Sequence, residues 1–203
     1  MKKRIQCNII CIISLIFILF LMNHIVNSKE EKIELYPSKV KSVRGHCAME
    51  DPEGGGPIII KDIKASNYIK DNTGIDYSIN NVLGGTWDTA WCVNGNGIGE
   101  WIKVVIPINL RERKGITNLY RILVVNGLGK NKELYFANNR VKRIEVETSG
   151  GEKVFLNLHD DDLELQRFKI NIKAEWLKMT IKEIYKSNKY NDTCIGKIFF
   201  ETE

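Results

Sequence analysis

Residues 167–185 read RFKINIKAEWLKMTIKEIY. Phe168, Ile170 and Ile172 alternate with Lys169, Asn171 and Lys173; Leu177, Met179 and Ile181 alternate with Lys178, Thr180 and Lys182. Apolar residues at every second position share one face of an extended chain, so both runs predict half-buried strands. The pattern continues outward. Val154, Leu156 and Leu158 alternate with Phe155, Asn157 and His159, and short apolar runs recur at 58–63, 101–108, 119–126, 141–148 and 195–201. No long helical period intervenes, and the stretch 76–83 suits a short turn better than a helix. Eight short antiparallel strands around one core predict an all-β fold, a jelly-roll β-sandwich.

Ahead of these strands, Lys2, Lys3 and Arg4 precede a run from Ile9 to Met22 that is apolar except for Ser14. A basic start followed by a short apolar stretch is the pattern of a signal peptide, with Val26 and Ser28 placed for cleavage. We therefore expect residues 1–28 to be a signal segment, an uncleaved anchor being the alternative. Either would put the rest outside the cytoplasm, secreted or at the periplasm or cell surface. Residues 29–57, closing on Asp51-Pro52-Glu53-Gly54-Gly55-Gly56-Pro57, read as a flexible lead-in or a loop laid over the domain, which spans 58–203.

Three of the 30 basic residues lie in the first 28, leaving 27 against 25 acids. So balanced a charge disfavours nucleic acid as a partner, and a membrane contact is expected only through an uncleaved leader. Beyond residue 28 the cysteines are Cys47, Cys92 and Cys194, which allow at most one internal disulfide and leave one thiol over. No pair has C-x-x-C spacing and no His stands at ligand spacing from a Cys, so no metal site is expected.

Both faces of a sandwich are covered strand by strand, which leaves function to the end loops. The most informative loop is 84–101, GGTWDTAWCVNGNGIGEW. Its glycines permit tight reversal, and tryptophan beside Asn and Asp suits a sugar, whose C–H faces pack on the ring while amides and carboxylates take the hydroxyls. Trp91 and Trp101 read better as core residues and Trp87 as an exposed platform, with Asp88, Asn94 and Asn96 around it. Asn139-Arg140, opening a strand, would contact sugar hydroxyls or a carboxylate, or form a structural ion pair. His159-Asp160-Asp161-Asp162 reads as a solvated turn. His46 beside Cys47 is a poor nucleophile pair, and no phosphate-loop, G-x-S-x-G or H-E-x-x-H motif is present, so no enzyme is expected.

The blocks YSINNVLGGTWDTAWCVNGNGIGEW (77–101), Asn126-Gly127, YFANNRVKRIEVE (135–147), Gln166 and IYKSNKYNDTCIGKIFF (184–200) occur in an order that resembles the discoidin-like, coagulation factor 5/8 type C domain of the NAD glycohydrolase translocation family. That domain is similar to galactose-binding domains. The resemblance covers roughly 63–200 and implies an eight-stranded jelly roll that binds a glycan or glycoconjugate at one end. It implies no NAD hydrolysis, because it covers an accessory module. It also adds Tyr190 and Asp192 to the expected site and favours a Cys92–Cys194 disulfide, with Cys47–Cys194 the alternative. Relatives place carboxylates near 84–86 and 196–198, where oxygen ligands can hold a structural calcium. This chain has Gly84-Gly85-Thr86 and Gly196-Lys197-Ile198, which disfavours that ion. The expectation is thus a non-catalytic carbohydrate-binding module needing no cofactor. The alternative is a protein-interaction domain on the same scaffold, meeting a cell-envelope protein.

Overall fold

A computed structural model describes residues 32–40, 56–60, 62–70, 74–84, 86–107, 117–160 and 163–202. The expected signal segment, residues 1–28, together with His46, Cys47, Gly85, Asp161 and Asp162, lies outside the described residues. From Ile33 onward the chain forms one unit.

Its long strands are those the alternation marks: β6 (Trp101–Val105), β7 (Thr117–Asn126), β8 (Asn139–Thr148), β9 (Lys153–Asn157), β10 (Leu165–Ala174), β11 (Trp176–Tyr185) and β12 (Thr193–Thr202). Strand β4 (Asp62–Ala65) overlaps the expected 58–63 run. Four further strands have two or three residues each: β1 (Ile33–Leu35), β2 (Ser38–Val40), β3 (Gly56–Pro57) and β5 (Trp91–Val93). A single helix among the described residues, α1 (Lys132–Ala137), starts at Asn131, whose side chain accepts the Leu134 N–H at 2.8 Å. The suspected turn near residue 80 is a 3₁₀ turn, Ile79–Val82.

Hydrogen bonding runs continuously in the order β2-β10-β7-β12-β8-β11-β6-β4. β9 lies beside β8, and β1 beside β9. The path folds over on itself at the β12–β8 junction, where only Thr193–Asn139 and Cys194–Arg140 pair, in parallel. β10, β7 and β12 thereby form a back layer against a front layer of β9, β8, β11, β6 and β4. One apolar cluster fills the space between them. Ile102 and Val104 (β6), Ile144 and Val146 (β8) and Leu177, Met179 and Ile181 (β11) meet Ile122 and Val124 (β7), Phe168 (β10) and Phe200 (β12). Shared burial of alternating side chains from both layers is what defines a β-sandwich.

Two expectations need correction. The strands are not all antiparallel, since β1 pairs with β9 in parallel as well. The stretch 29–57 is not only a lead-in or covering loop: β1 and β2 add strands beside β9 and β10, and Leu35 packs on the main core.

The register also gathers the loops. Leu165 pairs with Val125, Ile195 with Asn126, Tyr185 with Arg140, Asn157 with Arg143 and Val93 with Thr193. The end of β7, the start of β8, the end of β9, the start of β10, the end of β11 and the start of β12 therefore lie at one end of the sandwich. The segments 94–100, 127–138 and 186–192 meet there.

Candidate functional site

At this loop end the polar residues divide into those that build the site and those that face solvent. Asn139 is fully buried. Its side-chain amide donates to Asn191 O at 2.7 Å, its side-chain oxygen accepts Ser187 N–H at 2.8 Å, and its own N–H reaches Asp192 O at 2.8 Å. Thr193 Oγ1 donates to Gly95 O at 2.8 Å, so the 94–100 loop is tied to the same point. Arg140 is equally committed. Its guanidinium grips Asp160 through two bonds of 2.9 and 2.7 Å and donates to Asn138 O at 2.9 Å. Two parallel charge-assisted bonds fix a side chain firmly. The expectation that Asn139 and Arg140 face a ligand is thus corrected: one clasps the 186–192 loop, and the other forms the structural ion pair. Asp160, read from sequence as part of a solvated turn, is the partner.

Trp87 is also turned inward, at 8% exposure, instead of forming an open platform. It packs with Leu123, Val125, Tyr135, Leu163 and Leu165 on the outer face of the back layer. A β-sheet has two faces, and where the outer one is apolar something must cover it; here Trp87 and Tyr135 of α1 do so. Trp91 is buried in the main core, as expected, but Trp101 is not among the core residues. Its strand neighbours Ile102 and Val104 point in, so the indole lies half-buried on the front layer's outer face, with Lys178 Nζ 5.5 Å from its ring centre. Asp88, Asn94 and Asn96 are exposed; the Asn96 side chain accepts Ile98 N–H at 3.1 Å and holds the turn.

The expected disulfide is present: Cys92 and Cys194 join β5 to β12 directly across their pairing register. It floors a cleft of about 280 Å³ lined by Ile69, Tyr77, Leu128, Leu134, Asn138, Tyr190 and Asp192. Tyr190 and Asp192 were expected at the site; the other five were not, because they come from two separate connections, 66–90 and 127–138, and most are plain apolar residues. Most of the lining is apolar; of its polar residues, Tyr190 and Asp192 reach solvent and Asn138 is buried. Tyr190 is 45% exposed, its backbone N–H bonds Ala137 O at 2.8 Å, and Lys189 Nζ stands 5.2 Å from its ring centre. Burial pushes the Asp192 carboxyl above the ordinary carboxylate range. Gly127 stands beside the disulfide, its N–H donating to Cys194 O at 3.2 Å. Its φ is +67°, and a Cβ there would lie 2.8 Å from the Tyr135 ring and 2.9 Å from Arg140 Cγ, so only glycine fits. Asn94, Asn96, Tyr190 and Asp192 thus share a neighbourhood, whereas Asp88 stands beside Trp87.

Solved structures with this architecture include carbohydrate-binding-module domains. The CBM32-1 and CBM32-2 domains of Clostridium perfringens ZmpB, in complex with GalNAc, match with a TM-score of 0.57 at 12% identity, over 87% of this chain and 41% of that one. CBM32-3 from a family 31 glycoside hydrolase of the same organism matches with a TM-score of 0.50 at 14% identity, over 69% of this chain and 88% of that one. The mycobacterial arabinofuranosyltransferase AftD matches with a TM-score of 0.51 at 16% identity; this chain spans 73% of itself and 11% of that protein. At such identities the likeness is one of fold. No curated protein matches the sequence significantly. The family model for the NAD glycohydrolase translocation F5/8 type C domain matches residues 55–201, most of the strands and the whole loop end, and the chain belongs to that family.

Proposed function

We propose that the protein is an exported, non-catalytic carbohydrate-binding module, and that a single sugar residue of a larger glycan seats in the cleft between Tyr190 and Asp192. The observation that supports it most is the cleft itself, an apolar floor anchored by a disulfide with an aromatic ring and polar groups at its mouth. That is the arrangement a pyranose requires: a hydrophobic face to stack, and a few acceptors and donors for its hydroxyls. At about 280 Å³ the cleft is smaller than the roughly 300–1,000 Å³ of pockets that enclose drug-sized ligands, which suits one ring of a chain that continues into solvent. The exposed Asn94 and Asn96, on the loop that Gly95 ties to Thr193, would meet neighbouring residues of the glycan. Affinity for such a shallow contact is weak, and multivalent surfaces strengthen it.

A glycan-array screen of the purified protein tests this, run beside Tyr190→Ala and Asp192→Ala. Binding to a defined sugar set, reduced at least tenfold by either substitution in folded protein, is the expected result. Binding that survives both substitutions overturns the cleft as the site. Absence of any binding by correctly oxidised protein overturns the glycan reading and favours a cell-envelope protein partner. The half-exposed Trp101 and Trp176 on the front layer's outer face, each under a lysine, are the observation that favours this second reading.

A further inference from the structure

Lys197 is completely buried, although it carries a charge. It lies on β12 beneath the 3₁₀ turn and the segment that leads into β5. Its ammonium donates to Asn81 O, to Thr89 O at 3.1 Å and to Thr89 Oγ1 at 2.8 Å. The Asn81 side chain in turn bonds Asp76 O at 2.6 Å and Ala90 O at 3.1 Å. Asp76, Asn81, Thr89 and Ala90 are thereby linked around one positive charge. A Cβ on Gly84 would lie 3.9 Å from Nζ, so that glycine also borders the charge.

Neutral oxygens converging on a buried cation is how proteins hold hard ions, and calcium takes six to eight of them, carboxylates included. The residues here do not fit that ion. The centre is already an ammonium that donates to oxygens of Asn81 and Thr89, and no group of three acidic or other ligating side chains occurs among the described residues. We propose that Lys197 is a built-in cation: its ammonium takes the place of a metal in an oxygen cage and orders the 76–90 segment without any divalent ion. This holds whatever ligand the loop end binds.

Thermal unfolding of the full chain, with calcium and with a chelator, tests the proposal. The wild-type protein is expected to melt at the same temperature in both. Lys197→Met is expected to melt roughly 5–10 °C lower, because bonds from a charged donor are lost and the cage oxygens are left unmet. Calcium is expected to restore nothing to Lys197→Met, because the oxygens left are too few to hold the ion. A wild-type protein that calcium stabilises overturns the proposal, and that arm requires no variant to fold. So does Lys197→Met melting with the wild type, or regaining its stability on adding calcium.

Discussion

Asp192 combines a functional position with a physical cost. Its carboxyl is partly withdrawn from water at the mouth of the cleft, and burial raises its pKa. The folded chain therefore holds this proton to a higher pH than the unfolded chain does. Between the ordinary carboxylate value, about 3.9, and the raised one, the folded state binds more protons, and stability falls as pH rises. Above that window the ionised group imposes its full penalty; below it there is none. Asp192→Asn, neutral throughout, should then be slightly more stable than wild type at pH 7, with the difference closing as pH drops towards 4. The effect is small, because the carboxyl still reaches solvent. Paired melting curves from pH 4 to 8 measure it, and a variant less stable at pH 7 would show that Asp192 supports the fold instead. A gain in stability together with a loss of glycan binding is the signature of a group kept for its ligand. Asn139 and Arg140 are the opposite case. Sequence marks them as polar neighbours at a strand start, but polarity alone does not say whether a side chain faces water or a buried carbonyl.

At the scale of elements, the loop end depends on β5, a strand of only three residues. It pairs with β12 alone, over Val93–Thr193, Cys92–Cys194 and Trp91–Ile195, and the disulfide sits at the middle pair. Ala90, Leu128 and the two half-cystines form a small apolar cluster there, separate from the main core. The bridge closes a loop of 102 residues, for which chain entropy gives about 4–5 kcal/mol, with measured bridges more often at 2–4. Reduction, or a Cys92→Ala/Cys194→Ala variant, should lower the melting temperature by roughly 10 °C in a domain of this size. The cleft should loosen before the sandwich melts, because its floor is lost while the front layer keeps its pairing. Hydrogen exchange checks the order: amides of 91–93 and 127–138 should exchange faster on reduction while those of β8 and β11 stay protected. Uniform loss of protection would mean that the bridge supports the whole domain.

For the whole molecule, legibility followed element length. Strands of ten residues, such as β10 and β11, repeat the inward position often enough to be seen, even though β10 shifts register between Lys169 and Ile172. Strands of two or three residues have no period to detect, and six-residue α1 is too short for a helical one. The disulfide followed from family resemblance. The cleft was half visible, through Tyr190 and Asp192, because its apolar lining is assembled by topology from separate loops. The same limit hid the role of the segment before Ile58. Strand β1 runs parallel to β9, and Glu34 there meets Arg143 and accepts Asn157 Nδ2 at 2.8 Å; β2 pairs with the opposite layer at β10. A protein beginning at Gly56 would therefore lose a strand from each layer and leave β9 and β10 as open edges. Unpaired edges recruit other strands, and the loss of Leu35 uncovers part of the core. Such a truncation should melt at least several degrees below the longer chain and associate at high concentration, read by light scattering against a chain beginning at Lys29. If it stays monomeric and equally stable, β1 and β2 only decorate the sandwich; if it associates, they are its edge protection, and the domain begins near Ile33.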